Sequence, residues 1–186
     1  MRTQMIAKER GAFRLDQFAR SANARAHEMG TAAEIWEQSG GTITAFCDFV
    51  GSGGTFAGLK RGLTARNPAV RGYVVEPVGA AVLAGQSIVQ AQHKIQGGGY
   101  ARRDLPLLAD VGVDGYVQVS DNEAIAAARA LAIEEGIFGG FSSGANLAAA
   151  LNLLRGKEKG GTLAVLICDS GLKYLSTDLW PSFVRD

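Results

Sequence analysis

The sequence predicts an α/β fold built on a mostly parallel, twisted sheet covered by helices, and three observations predict it. From residue 42 onward, apolar runs of strand length alternate with segments of helical periodicity, the pattern of parallel strands joined by crossover helices. Hydrophobic residues make up 47% of the 186-residue chain and charged residues 20%, which supplies a buried core and excludes disorder for most of the length. Glycine stands at 25 residues against only 4 prolines, so the glycines serve local backbone positions rather than a low-complexity linker.

Taken in order, Thr31 to Gln38 reads as a short helix ended by Gly40-Gly41. Thr44 to Val50 is the first strand, Phe56 to Ala65 a helix and Arg71 to Val75 the second strand. Gly85 to Pro106, Gln-rich and carrying Gly97-Gly98-Gly99, reads as a long surface loop, and such loops are more often functional than neutral. Gly115 to Val119 is a third strand. Ser120-Asp121-Asn122 is a cap signal for a helix over Asn122 to Glu135, which Gly136 closes. A helix over Ala145 to Leu154 and a strand over Thr162 to Cys168 complete the pattern.

The charges nearly cancel, 19 Lys plus Arg against 18 Asp plus Glu, so no basic field exists to hold nucleic acid or an anionic membrane surface. No stretch approaches the roughly 20 apolar residues of a membrane span, and the N-terminus leads into Lys8-Glu9-Arg10 rather than an apolar signal region, so a soluble cytoplasmic protein is expected. Cys47 and Cys168 each lie in an apolar run that reads as a buried strand, which favours free core thiols over a disulfide. His27, His93 and the two cysteines are scattered singly, without metal-site spacing, so no metal is expected.

The sharpest local signal is Val50-Gly51-Ser52-Gly53-Gly54-Thr55, at the carboxyl end of a predicted strand and the start of a predicted helix. Small residues there let backbone N–H groups converge on an anion while the helix N-terminus adds partial positive charge; a tight strand-to-helix turn would use the same residues. No Gly-Lys-Ser/Thr follows, and Phe56 occupies the third glycine position of a dinucleotide fingerprint, so ATP, GTP and NAD lose ground. Gly140-Phe141-Ser142-Ser143-Gly144 matches the hydrolase nucleophile elbow, yet that fold needs a histidine downstream of the serine and both histidines lie upstream. What survives is a serine hydroxyl at a helix start, either a cap or a hydrogen-bond partner to a ligand. Cys168 to Thr177 follows the last strand and shares the carboxyl edge, where open α/β sheets bind ligands.

On these residues the chain resembles the cysteine synthase and cystathionine β-synthase family, pyridoxal-phosphate enzymes of the tryptophan-synthase-β fold. The matches run in order: Gln17-Phe18 with Asn23 and His27, Thr31 to Gln38, Gly51 to Thr55, Val75-Glu76-Pro77, His93 to Gly97, Gly140 to Ala145, and Asp169-Ser170-Gly171 with Tyr174 to Thr177. They span roughly residues 5 to 180, and the cysteine synthase (O-acetylserine sulfhydrylase) branch is the best fit. The resemblance implies a fold-type II large C-terminal domain, three-layer, with helices on both faces of the sheet. It implies pyridoxal 5'-phosphate as cofactor, with Gly51, Ser52, Gly53, Gly54 and Thr55 holding its phosphate and Ser142 facing the pyridine nitrogen. A neutral hydroxyl there suits β-elimination and replacement better than transamination. O-acetylserine or serine would be the donor and a sulfur nucleophile the acceptor.

The departure from the family is at the catalytic lysine. The family's Schiff-base lysine lies in an N-terminal Lys-Asp-Arg-type motif and its substrate carboxylate binds a Thr/Ser-Gly-Asn loop; neither motif occurs here. None of Lys8, Lys60, Lys94, Lys157, Lys159 and Lys173 matches the catalytic position, so no catalytic residue is assigned. Residues 1–186 are therefore expected to be the C-terminal cofactor-binding domain of such an enzyme, truncated or completed by a second chain and inactive alone. The alternatives are a full enzyme with an unrecognised lysine and a non-catalytic module that keeps the phosphate loop to bind a ligand or partner. A homodimer, a complementing N-terminal chain and the serine acetyltransferase that partners many cysteine synthases are the expected associations.

Overall fold

The computed structural model describes residues 2–180. In chain order these form α1 (Arg2–Glu9), α2 (Ser21–Ala26), a π turn (His27–Thr31), α3 (Ala32–Gln38), β1 (Ala45–Phe49), α4 (Gly54–Thr64) and β2 (Arg71–Pro77). A 3-10 turn (Pro106–Leu108), β3 (Gly115–Val119), α5 (Asp121–Glu135), α6 (Phe141–Arg155), β4 (Leu163–Val165) and a second 3-10 turn (Gly171–Tyr174) follow. The strands form one parallel sheet in the order β3-β2-β1-β4. Successive side chains of the central strand β1 enter opposite cores because the strand period is two. Cys47 and Phe49 join Tyr73, Val75, Ala128, Phe141 and Ala145 beneath α5 and α6; Phe46 and Val50 join Val74, Phe56, Leu59 and Leu63 beneath α4. Helices thus cover both faces, as an α/β three-layer fold requires.

The predicted elements all form, with changed boundaries that have local causes. The capping box at Ser120 and Glu123 starts α5, and Gly136 ends it at φ 70°. α4 begins at Gly54 rather than Phe56 and α6 at Phe141 rather than Ala145, so both glycine-rich stretches are first helical turns. Packing overrides the low helix propensity of glycine here: a Cβ on Gly144 would lie 2.0 Å from the Ala124 carbonyl oxygen. β4 is three residues long instead of reaching Cys168, because the segment beyond it leaves the ladder and bonds to α6. Asn146 Nδ2 donates to the Leu166 carbonyl at 3.0 Å, and the Cys168 N–H donates to Ser143 Oγ at 3.2 Å. In consequence Cys168 is an exposed residue and not a buried strand thiol, whereas Cys47 is buried; both are free.

The amino ends of the strands are closed by ion pairs. Glu158, whose side chain is 1% exposed, receives Arg71 Nε and Nη2 at 2.6 Å each and the Tyr73 hydroxyl. Asp114 pairs with Lys60 and also accepts the Gly72 N–H at 2.7 Å. At the carboxyl ends, residues 78–105 cross the sheet without helix or strand. The Glu76 carboxylate anchors that loop, accepting the N–H groups of Leu83 and Ala84 at 2.8 and 2.9 Å.

Candidate cofactor site

Gly51 to Thr55 connect β1 to α4, and Gly53 is the N-cap of α4 with φ 84°. That left-handed conformation favours glycine, and a Cβ there would meet Leu108 Cγ at 2.7 Å. The N–H groups of the first helical turn have no carbonyl within the helix to accept them, so the loop presents donors and partial positive charge to the mouth of the sheet. Asp48 of β1 is 5% exposed, and burial pushes its carboxyl up to about 7.

A second layer lies over the loop. Asn23 Nδ2 donates to Ser52 Oγ at 3.0 Å and to the Gln17 carbonyl at 2.8 Å, and the Gly54 N–H also reaches Ser52 Oγ, at 3.4 Å. His27 stands between Thr55 Oγ1, 3.2 Å from Nε2, and Thr31 Oγ1, 3.0 Å from Nδ1; burial lowers its pKa. Glycines at one-turn intervals in α4 make this contact. A Cβ on Gly54 would fall 2.2 Å from Asn23 Oδ1, on Gly58 2.3 Å from the Ala24 carbonyl, and on Gly62 2.5 Å from Ala32 Cβ. Any larger residue would push α2 and the π turn away.

Ser142, 5% exposed, is in the first turn of α6. The Cys168 thiol lies 3.8 Å from both Asn146 Nδ2 and the Leu166 carbonyl. Gly140 donates its N–H to the Asp169 carbonyl at 3.1 Å. One Asp169 carboxylate oxygen accepts the Tyr174 hydroxyl at 2.7 Å while the other, buried, has no partner. His93 Nε2 donates to the Gly99 carbonyl at 2.9 Å, which leaves Nδ1 buried and unpartnered.

Gly97 joins the two halves. A Cβ on Gly51 would lie 2.6 Å from the Gly97 carbonyl oxygen, and a Cβ on Gly97 would stand 4.0 Å from Ser142 Oγ. Gly97 thus stands between Gly51, at the start of the loop, and Ser142, whereas Ser52 and Gly54 face Asn23, Thr55 faces His27 and Gly53 faces Leu108. The site also includes residues that motif reading passed over. Asp48 was hidden in a strand, and the Gly54, Gly58, Gly62 spacing was the one available sign that a helix packs on α4. Of the lysines, Lys60 pairs with Asp114 at the opposite edge, Lys94 pairs with Asp178, and Lys173 approaches Asp169 at 3.4 Å. Among the described residues no group of His, Cys, Asp and Glu could hold a metal ion, and no helix is long and apolar enough to cross a membrane.

Known proteins resemble this chain in sequence and fold. Cysteine synthase 3 of Caenorhabditis elegans is 36% identical over 98% of this chain and 53% of its own length, and cysteine synthase A of Escherichia coli is 40% identical over 89% and 53%. The crystal structure of O-acetyl serine sulfhydrylase isoform 3 from Entamoeba histolytica superposes with a TM-score of 0.86 at 32% identity, over 96% of this chain and 53% of that one. O-ureido-L-serine synthase gives a TM-score of 0.86 at 34% identity, over 98% and 57%. The chain spans about half the length of the curated relatives it matches. A family model described as pyridoxal-phosphate dependent enzyme matches residues 1–169, which take in both helix N-termini of the site. With that match, and with a fold that superposes on these relatives, the chain belongs to the pyridoxal-phosphate dependent enzyme family.

Proposed function

We propose that this chain carries the cofactor-phosphate half of a cysteine-synthase-type enzyme, which replaces the β-substituent of an amino acid such as O-acetylserine or serine with a sulfur nucleophile. The observation that carries this reading is the meeting of the Gly51 to Thr55 loop and Ser142 at Gly97. The residues fit pyridoxal phosphate: a glycine cradle with free N–H donors and two hydroxyls suits a phosphate, and a neutral serine hydroxyl suits a pyridine nitrogen. When bound, that cofactor supplies an electron sink for chemistry at the substrate α-carbon. Gly53 and Thr55 would hold its phosphate through backbone N–H groups and Ser52 through its hydroxyl, and Ser142 would face the ring nitrogen without the charge that would keep it protonated.

No lysine of this chain matches the family's catalytic position, and Lys60, Lys94 and Lys173 face carboxylates. In this reading the amine and base of the reaction come from further polypeptide, joined to this chain or supplied by a second one, in the cytoplasm. Calorimetric titration of the chain with pyridoxal phosphate tests the cradle. Gly53→Val strains a residue at φ 84°, at about 1–3 kcal/mol, and drives its Cβ into Leu108, so affinity drops at least about tenfold. Equal affinities for the two proteins would sink the assignment. Covalent capture of the cofactor on one lysine after borohydride treatment would instead favour a complete enzyme within this chain.

A further inference from the structure

We propose that Asn23 is a positioning residue of the phosphate cradle, whose side-chain amide turns the Ser52 hydroxyl proton outward toward a phosphate monoester. This rests on the cradle reading above. Carbonyl oxygens only accept, so the Asn23 atom 2.8 Å from the Gln17 carbonyl is the amide nitrogen. The same nitrogen therefore donates to Ser52 Oγ at 3.0 Å, and the Gly54 N–H approaches that oxygen as a second donor at 3.4 Å. With both lone pairs engaged, Ser52 keeps only its proton to offer, and a phosphate, rich in acceptors, is the group that takes it.

The placement of Asn23 is built into α4 itself. Only a residue without a side chain at position 54 lets the amide lie over the first turn, since a Cβ there would fall 2.2 Å from Asn23 Oδ1. One turn further along the same segment, His27 stands against Thr55 Oγ1, the other hydroxyl of the cradle. The segment from Ser21 to Thr31 thus addresses both loop hydroxyls from the side away from the sheet. Its role is orientation, with no atom of Asn23 required to touch the ligand.

The test titrates the chain with pyridoxine 5'-phosphate, which lacks the aldehyde and cannot react with lysines, and with pyridoxine as the phosphate-free partner. Asn23→Ala should weaken the ester about threefold to tenfold and leave pyridoxine unchanged. Asn23→Asp, of nearly the same shape, should weaken it more, because a carboxylate accepts from Ser52 and turns the proton inward. In a Ser52→Ala background, Asn23→Ala should change affinity less than about twofold. An unchanged ester affinity for Asn23→Ala, with Gly53→Val still defective, overturns the orienting role and leaves the cradle standing. A loss of equal size in the Ser52→Ala background also overturns it, by showing a purely structural effect. Wild-type chain that fails to prefer the ester over pyridoxine removes the cradle and this inference together.

Discussion

At the amino ends of the strands, charges meet partners: buried Glu158 takes both nitrogens of the Arg71 fork and the Tyr73 hydroxyl, and the more exposed Asp114 takes Lys60 and the Gly72 N–H. At the carboxyl ends the opposite holds. Asp48 and Glu76 are buried without a cation, and the three buried side-chain atoms without a hydrogen-bond partner among the described residues, His93 Nδ1, Asn146 Oδ1 and Asp169 Oδ1, all lie on that side. The acid–base consequences diverge. The Arg71 hydrogen bonds hold Glu158 below the usual carboxylate range, and Lys60 with the Gly72 N–H overcomes burial to do the same for Asp114. Burial raises both Asp48 and Glu76. One edge is closed by ion pairs, and the other keeps carboxyls that burial pushes toward the neutral form.

The largest effect that would break this contrast concerns pH. Asp48, raised from 3.8 to about 7, contributes stability that is complete below its ordinary pKa and is lost as pH climbs through 7. Glu158 and Asp114, lowered, contribute stability that is present above their ordinary pKa values and is lost as pH falls below them. Urea unfolding should therefore show stability lost at the acid end from the amino edge and a decline between about pH 4 and 7 from the carboxyl edge. At about 1.4 kcal/mol per pH unit, the Asp48 limb amounts to at most about 4 kcal/mol, and Asp48→Asn should flatten most of it. An undiminished decline between about pH 4 and 7 in that variant would remove Asp48 as its source.

Next in size is Glu158→Ala, which strands the Tyr73 hydroxyl and unpairs Arg71. Breaking a buried pair costs roughly 3–5 kcal/mol, but Arg71 is 46% exposed and can rehydrate, so about 3 kcal/mol is expected. Affinity for pyridoxine 5'-phosphate should stay within about twofold of wild type, since the pair lies at the far end of the sheet. A stable variant with impaired binding would mean that the two edges are coupled. The smallest effect is Ser142→Ala, which deletes one neutral hydrogen bond worth roughly 0.5–1.5 kcal/mol and leaves the phosphate anchor intact. Pyridoxal phosphate affinity should fall up to about tenfold, less than for Gly53→Val; the reverse ranking in calorimetry would displace the ring-nitrogen contact as the minor partner.

The strands, the helix caps at Ser120 and Gly136 and the glycine loop were legible in the sequence because each depends on contacts within a few residues. Apolar alternation, a capping box and a left-handed glycine are local statements. The long loop before Pro106 was also legible, since its composition supports neither period. The starts of α4 and α6 were not, because Gly54 and Gly144 are helical by virtue of what packs on them. Cys168 misled for the same reason: its apolar neighbourhood looks like a strand until Asn146 and Ser143 draw the segment off the ladder.

By itself, then, the sequence determined a parallel α/β sheet, the glycine loop at a strand's carboxyl end and the family to which those motifs point. Tertiary structure alone decided that Gly97 brings the loop and Ser142 together, that Asn23 and His27 stand over the cradle, and that a carboxyl lies buried beneath it. The physical reason is range. Backbone conformation and periodicity are written in neighbouring residues, whereas the Ser52 hydroxyl is oriented by an amide 29 positions away and the pKa of Asp48 is set by how completely distant segments exclude water from it.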